Sequence, residues 1–317
     1  PFTTLQAAMQ RFFQKKAKHP QFKKKGKCRD SFYVANDKFS VDGKSVKLPV
    51  IGKIKMTEEL RFRGKISYAV ISRTADRWFI SISMETELPK LKRGTKTLGG
   101  DLGIKTSATC SDGTIYQSPK PLCKLKRKLA LAQRGVSRKV KGSSNRTKAI
   151  NKLAKLHWRC SNVRDDFLHK TTTNICRESQ AVAIEDLSVR GMMGNPKLAR
   201  ALSDQSFSEF RRQLTYKAEA YVVRLLVVDR FFPSSKTCSS CGSVKPTLTL
   251  SERTYRCDSC AIEIDRDLNA AINLMNKLGA ASPEVKPVDQ QNSRSRLRLG
   301  AGMKQEFKGG HFCSLGK

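Results

Sequence analysis

The sequence predicts an α/β core that carries an inserted four-cysteine metal module and is preceded by an antiparallel β region. Three observations point there. Apolar residues recur with a period of two across residues 32–88, the pattern of half-buried strands. Further on, short apolar runs such as AVAIEDL (181–187) and YVVRLLVVDRFF (221–232) alternate with helical patterns, the order that builds a layered α/β fold. Two CxxC pairs, Cys238/Cys241 and Cys257/Cys260, then sit between the second run and a final helical pattern.

The chain opens inside a helical pattern, with Phe2, Leu5, Met9 and Phe12 on one face, which predicts that a start lies upstream. A basic linker, KKAKHPQFKKKGK, follows. Its lysines suit either a solvated loop or an arm on phosphates. In the β region, Phe39 and Val41 lead to a turn at Asp42 and Gly43, and Val46, Leu48 and Val50 follow; Trp78, Ile80, Ile82 and Met84 form a later strand. The segment ELPKLKRGTKT (87–97) has the turn and charge composition of a boundary. LGGDLGIKTSATCSDGTIYQS reads as short strands turning at Asp112 and Gly113, with Asp101 on the first. A long helical stretch comes next, broken by Gly135 and by KGSS (141–144), with Ile150, Leu153, Leu156, Cys160, Val163 and Phe167 as its apolar stripe. A helix over about 206–221 has Ser206 and Glu209 spaced as a capping box. The last helix runs from about 266 to 278, and the tail beyond it, rich in Ser, Arg, Gly and Gln, is expected to be mobile.

Charge restricts the partner. The chain carries 62 Lys and Arg against 27 Asp and Glu, a net +35, a self-repelling excess that a polyanion relieves. Residues 120–159 hold 14 Lys or Arg and no acid. Lys124, Lys126, Arg127, Lys128, Arg138, Lys139 and Lys141 are therefore the predicted nucleic-acid contacts. No run approaches the ~18 apolar residues of a membrane span, and no secretory leader is visible. The expectation is a cytoplasmic protein with no membrane partner, whose other six cysteines, Cys28, Cys110, Cys123, Cys160, Cys176 and Cys313, are ordinary thiols.

Two constellations carry chemistry. Cys238, Cys241, Cys257 and Cys260, with a 15-residue spacer, offer four soft sulfurs suited to structural Zn²⁺ with no open position for catalysis. Asp101, Glu185 and Asp267 stand at two strand ends and in the first turn of a helix. Brought together, they would hold Mg²⁺ for phosphodiester chemistry; spacing alone leaves open whether they converge. Asp186 and Asp265 compete for the same roles, although Asp265 is well placed as a helix N-cap.

GDLGIK, CSDG, IEDLSVRGMM, FRRQLTYKAEAY, VVDRFFPSSKTCSSCG and DRDLNAAINL resemble, in order, the motifs of the transposon-encoded TnpB (OrfB) proteins, relatives of the type V CRISPR nucleases. The resemblance implies a RuvC-type, RNase H-like nuclease domain over 96–278 with a zinc ribbon inserted at about 234–264. It implies a partial wedge β-barrel with helical elements over 1–95, and leaves 279–317 as the tail. It further implies an RNA-guided DNA endonuclease with catalytic acids Asp101, Glu185 and Asp267, a guide RNA from the transposon end, and target DNA as substrate. The alternative is a truncated or inactive zinc-ribbon accessory protein of transposition that binds nucleic acid without cutting it. Three departures stand out: an absent upstream segment; Gly99 and Gly100 before Asp101, which would weaken a central strand; and Ala261 after the last CxxC, where a positive φ would favour glycine.

If the basic ridge grips phosphates, reversing Lys126, Arg127 and Lys128 to Glu should weaken binding to every nucleic-acid sequence alike. It should also flatten the dependence of log K on log salt. Titrations at several salt concentrations with two unrelated sequences check this; a loss confined to one sequence contradicts it.

Overall fold

The computed structural model describes residues 2–22, 28, 30–86, 94–249, 251–280 and 305–306. Part of the basic linker (23–27), most of the boundary segment (87–93) and most of the expected mobile tail lie outside these residues. The chain divides into two compact units, residues 1–86 with 296–317, and residues 87–295.

The first unit begins with helix α1 (Phe2–Phe13) and continues as strands β1 (Ser31–Ala35), β2 (Ser40–Asp42), β3 (Ser45–Leu48), β4 (Gly52–Lys55), β5 (Lys65–Thr74) and β6 (Arg77–Glu85). Two antiparallel sheets form, β2-β3-β4 and one in the order β1-β5-β6. The β2–β3 hairpin turns at Gly43 with φ +49, as the Asp-Gly pair predicts. Alternation puts Val34, Val46, Leu48, Ala69, Ile71, Ile80 and Ile82 into one shared core. A two-residue strand in the tail, Gln305–Glu306, pairs with β6.

The second unit starts with β7 (Lys96–Asp101), β8 (Ala108–Cys110) and β9 (Ile115–Tyr116), followed by helices α2 (Pro121–Ser137) and α3 (Ser144–Glu178). Next come β10 (Ser179–Glu185), α4 (Val189–Met193), α5 (Pro196–Gln205), α6 (Phe207–Tyr221) and β11 (Arg224–Val228). After the cysteine module, with β12 (Thr254–Arg256) and β13 (Glu263–Asp265), comes helix α7 (Arg266–Ala280), the last element of this unit among the described residues. The main sheet has the order β11-β10-β7-β8-β9. β7, β10 and β11 run parallel, and β8 and β9 each pair antiparallel with their predecessor. One face packs on α3 and α6 through Leu168, Ile175, Cys176, Phe210 and Leu214. On the other, Leu274 and Leu278 of α7 pack with Ala181, Ala183 and Val228.

Several local expectations are corrected. Gly135 lies inside α2, and the break falls at 138–143, where Gly142 turns with φ +86 and Arg146 donates to the carbonyls of Val136 and Lys139. Ile150 and Val163 are 45% and 38% exposed. The face of α3 that meets the core is its C-terminal half, where Leu168, Thr172, Ile175 and Cys176 are buried. No capping box forms at Ser206. That residue ends α5 and starts α6 with a left-handed backbone (φ 52, ψ 47), so its hydroxyl turns back to donate to the Ser203 carbonyl, while Glu209 pairs with Arg212 and Gln213. The strand in 221–232 is limited to β11, because α6 ends at Tyr221 and Val222 is left-handed with φ 56.

The two glycines before Asp101 behave differently from one another. A Cβ on Gly99 would stand 1.9 Å from the Ala271 carbonyl oxygen and 2.6 Å from the Met275 nitrogen. Gly99 is what lets α7 lie directly on β7. At Gly100 a Cβ would meet only Ile184 Cγ2 at 3.6 Å and the Ala183 oxygen at 3.9 Å, so that position has room. Gly100→Ala should therefore stabilise the protein by about 0.5–1 kcal/mol through reduced chain entropy. Gly99→Ala should cost ~1–3 kcal/mol as an overpacked contact. Urea unfolding of the two variants checks this, and equal effects would contradict the assignment.

Candidate nuclease and metal centre

Asp101 ends β7 and Glu185 ends β10, its parallel neighbour. The register pairs Ile184 with Gly100, so the two acids leave the same sheet edge side by side. Asp267 reaches that edge from the first turn of α7, the helix seated on Gly99. Burial first, then the charges of Glu185 and Asp267, push the Asp101 carboxyl well above the usual carboxylate range. Each of the other two acids has a partner. Ser234 donates its hydroxyl to Glu185, and the Arg266 guanidinium lies 3.6 Å from Asp267.

The two competing acids are occupied elsewhere. Asp186 is ion-paired with Arg211 and Arg230, which hold its carboxyl below the usual range. Asp265 caps α7, accepting from the amides of Asp267 at 2.9 Å and Leu268 at 3.0 Å, an arrangement worth about 1 kcal/mol.

The cysteines form two matching turns. Gly242 N donates to Cys238 O and Ala261 N to Cys257 O, both at 3.0 Å; Cys238 N and Cys257 N then receive the chain back through Ser243 O and Ile262 O. All four sulfurs lie within 4.8 Å of one another. Cys238 to Cys260 and Cys241 to Cys257 are each 3.6 Å, close to the about 3.8 Å edge of a tetrahedron with ~2.3 Å metal–sulfur bonds. Amides of Cys260 and Ser259 lower the Cys257 thiol, the direction that favours the thiolate a metal requires, whereas the neighbouring Cys241 thiol is pushed up. Among the described residues this is the one group whose donor atoms gather so closely; the three carboxylates are more open. The residue after the second turn, Ala261, has φ 56 where Gly242 has φ 76, so the strain foreseen there is present.

Two residues that sequence reasoning passed over join module and acids. Asn269 and Asn273 are buried on one face of α7. Asn269 donates to Thr237 O at 2.7 Å and accepts from Ser239 N at 2.9 Å. Asn273 donates to Ser234 O at 2.8 Å and Thr237 O at 2.6 Å. The root of the cysteine module is thereby tied to the helix that carries Asp267. The signal was the i, i+4 asparagine pair on the helix's apolar side, where a polar residue needs a partner.

The basic candidates are spread over one element and its turn. Lys124, Lys126, Arg127 and Lys128 are exposed on α2, and Arg138, Lys139 and Lys141 are exposed in the turn before α3. α2 has no side-chain cap of its own, and the Asp204 carboxylate of α5 serves instead, accepting from the amides of Leu122 at 2.8 Å and Cys123 at 3.0 Å. Among the described residues no helix is long and apolar enough to cross a membrane.

Metal analysis should find about one zinc per chain and none in Cys238→Ser. Ala261→Gly should keep the metal and raise stability by ~1 kcal/mol, because glycine adopts that φ without penalty. Full metal retention in Cys238→Ser would contradict the site.

Comparison with known proteins identifies the family. The family model OrfB_IS605, described as "Probable transposase", matches residues 79–196, and "Cas12f1-like, TNB domain" matches residues 207–274. A "Putative RNA-guided DNA endonuclease" of Streptomyces pristinaespiralis is 40% identical over 306 residues, 95% of this chain and 76% of that protein. InsQ of Escherichia coli K12, with the same description, is 32% identical over 288 residues, 86% of this chain and 71% of that protein. The structure of a Cas12f1–sgRNA–target DNA complex shares the fold with a TM-score of 0.53 at 15% identity, over 86% of this chain and 69% of that one. With 40% identity to the Streptomyces protein over 95% of its own length, the chain belongs to the OrfB/TnpB family.

Proposed function

We propose that the protein is a transposon-associated, RNA-guided DNA endonuclease that cuts phosphodiesters with a divalent metal. The observation that carries this reading is the meeting of Asp101, Glu185 and Asp267 at one sheet edge, where burial and then the charges of the other two acids raise the Asp101 carboxyl. In a chain of net +35, such a knot of negative charge calls for a cation. The strand order, with three parallel strands flanked by an antiparallel pair, supports a RuvC-type, RNase H-like domain over 96–278 with a zinc ribbon at about 234–264. The two antiparallel sheets on one core support a wedge-like β-barrel within 1–95. The descriptions of the relatives support guide RNA and target DNA as partners.

In this reading Asp101, Glu185 and Asp267 hold Mg²⁺ and orient the scissile phosphate. When bound, the metal activates the attacking water and stabilises the leaving oxygen. The mutual repulsion of the three acids is then relieved, and Ser234 and Arg266 keep Glu185 and Asp267 in place while the site is free. The exposed cations of α2 run along the nucleic-acid backbone, contributing affinity without sequence preference. Zn²⁺ on Cys238, Cys241, Cys257 and Cys260 serves structure alone.

With its guide RNA and Mg²⁺, the protein should cut a matched duplex. Asp101→Ala should abolish cutting, by 10³-fold or more on the order expected for a lost metal ligand, while guide binding persists. If wild type and variant both bind and neither cuts, the protein is a binding accessory and the nuclease reading falls.

A further inference from the structure

We propose that Phe231 and the cleft beside it hold an unpaired nucleobase of the strand that enters the acidic site. This rests on the nuclease reading for the identity of the strand and on separate geometry for the pocket. Loop residues 229–234 leave the end of β11 and return to the site: Val228 O accepts from Asp186 N at 3.0 Å, and Ser234 donates to Glu185. Phe231 is three residues from Ser234, so its backbone lies within about 11 Å of the residue that touches Glu185.

Phe231 is 86% exposed, yet its loop is tightly bonded. Asp229 Oδ1 accepts from Phe231 N at 2.8 Å, Asp229 O from Phe232 N at 3.1 Å, and Phe232 O from Ser234 N at 2.8 Å. A large apolar ring is thus held into solvent by a fixed backbone. Beside it is a cleft lined by the apolar Leu226, Val227, Val228 and Phe232 together with Asp229 and Lys277. Lys277 Nζ stands 4.4 Å from the centroid of the Phe232 ring. The Asp229 carboxylate accepts from the Phe231 amide, and the Lys277 ammonium over the Phe232 ring gives the cleft a cation.

An aromatic face, an apolar lining and a cation beside it suit a flat ring joined to a phosphate. The net charge of +35 favours that occupant over an apolar side chain of a protein partner. Every base has a π face, so such a seat holds the strand without reading its sequence.

The test uses the full chain in Mg²⁺-free buffer and a short single-stranded DNA containing 2-aminopurine. Wild type and Phe231→Trp should bind it and quench its fluorescence. Phe231→Ala and Phe231→Leu should bind roughly tenfold more weakly without the quenching. The salt slope should stay unchanged in Phe231→Ala, which loses no charge, and fall by about 0.7, the single-strand value for one phosphate contact, in Lys277→Gln. Equal affinity and quenching in all the Phe231 variants, or no binding by the wild type, overturns the proposal and leaves the cleft to a protein partner. A failure of the guided complex to cut DNA, with the quenching pattern intact, removes the nuclease reading and not the base seat.

Discussion

The close approach of α7 to β7 at Gly99 is the contact on which the rest of the site depends. It fixes the height of α7 over the sheet, and through it the position of Asp267 above the strand that ends in Asp101. From the same helix, Asn269 and Asn273 hold the backbone at Thr237 and Ser234, and Ser234 in turn holds Glu185. The links form a closed loop from strand to helix to cysteine module and back to the neighbouring strand. Any displacement of the helix is felt by all three acids. Each buried polar link has its partner, which is the condition under which such a network specifies one geometry.

Electrostatics divides this unit into separate territories. Basic residues line α2, the turn after it and the first half of α3, and α2 is anchored at its N-terminus by the Asp204 carboxylate. At the sheet edge, negative charge is concentrated and only partly balanced. Asp186, next in sequence to Glu185, is satisfied by Arg211 and Arg230 and contributes little to the uncompensated charge. Neighbouring carboxylates thus acquire different characters from the direction each side chain takes at the end of a strand.

Much of this was legible in the sequence where a short pattern has one physical solution. The two CxxC pairs could close on a single ion, the period-two stretches became antiparallel sheets, and Asp265 took the cap that its position before α7 implied. Patterns with two solutions were not decided locally. Ser206 with Glu209 has the spacing of a capping box, but Ser206 is shared by two helices and its left-handed backbone turns the hydroxyl away. Ile150 and Val163 have helical spacing, yet only the half of α3 nearest the sheet meets a core. Gly99 read as a weak point because the partner that requires its bare backbone lies at Ala271, far along the chain. Asn269 and Asn273 were hidden for the same reason: their partners are backbone atoms of a loop.

That separation also sets an order of events during synthesis. Gly99 and Ala271 stand 172 positions apart (99 to 271), and β7 pairs with β10 across some eighty residues. At ~5–20 residues per second, β7 leaves the ribosome roughly ten to thirty seconds before α7 exists to cover it. The cysteine module, whose contacts are local, can close as soon as it emerges, whereas the acidic edge is completed only with the last helix. The nascent chain therefore displays its basic helices well before the three acids are brought to one sheet edge.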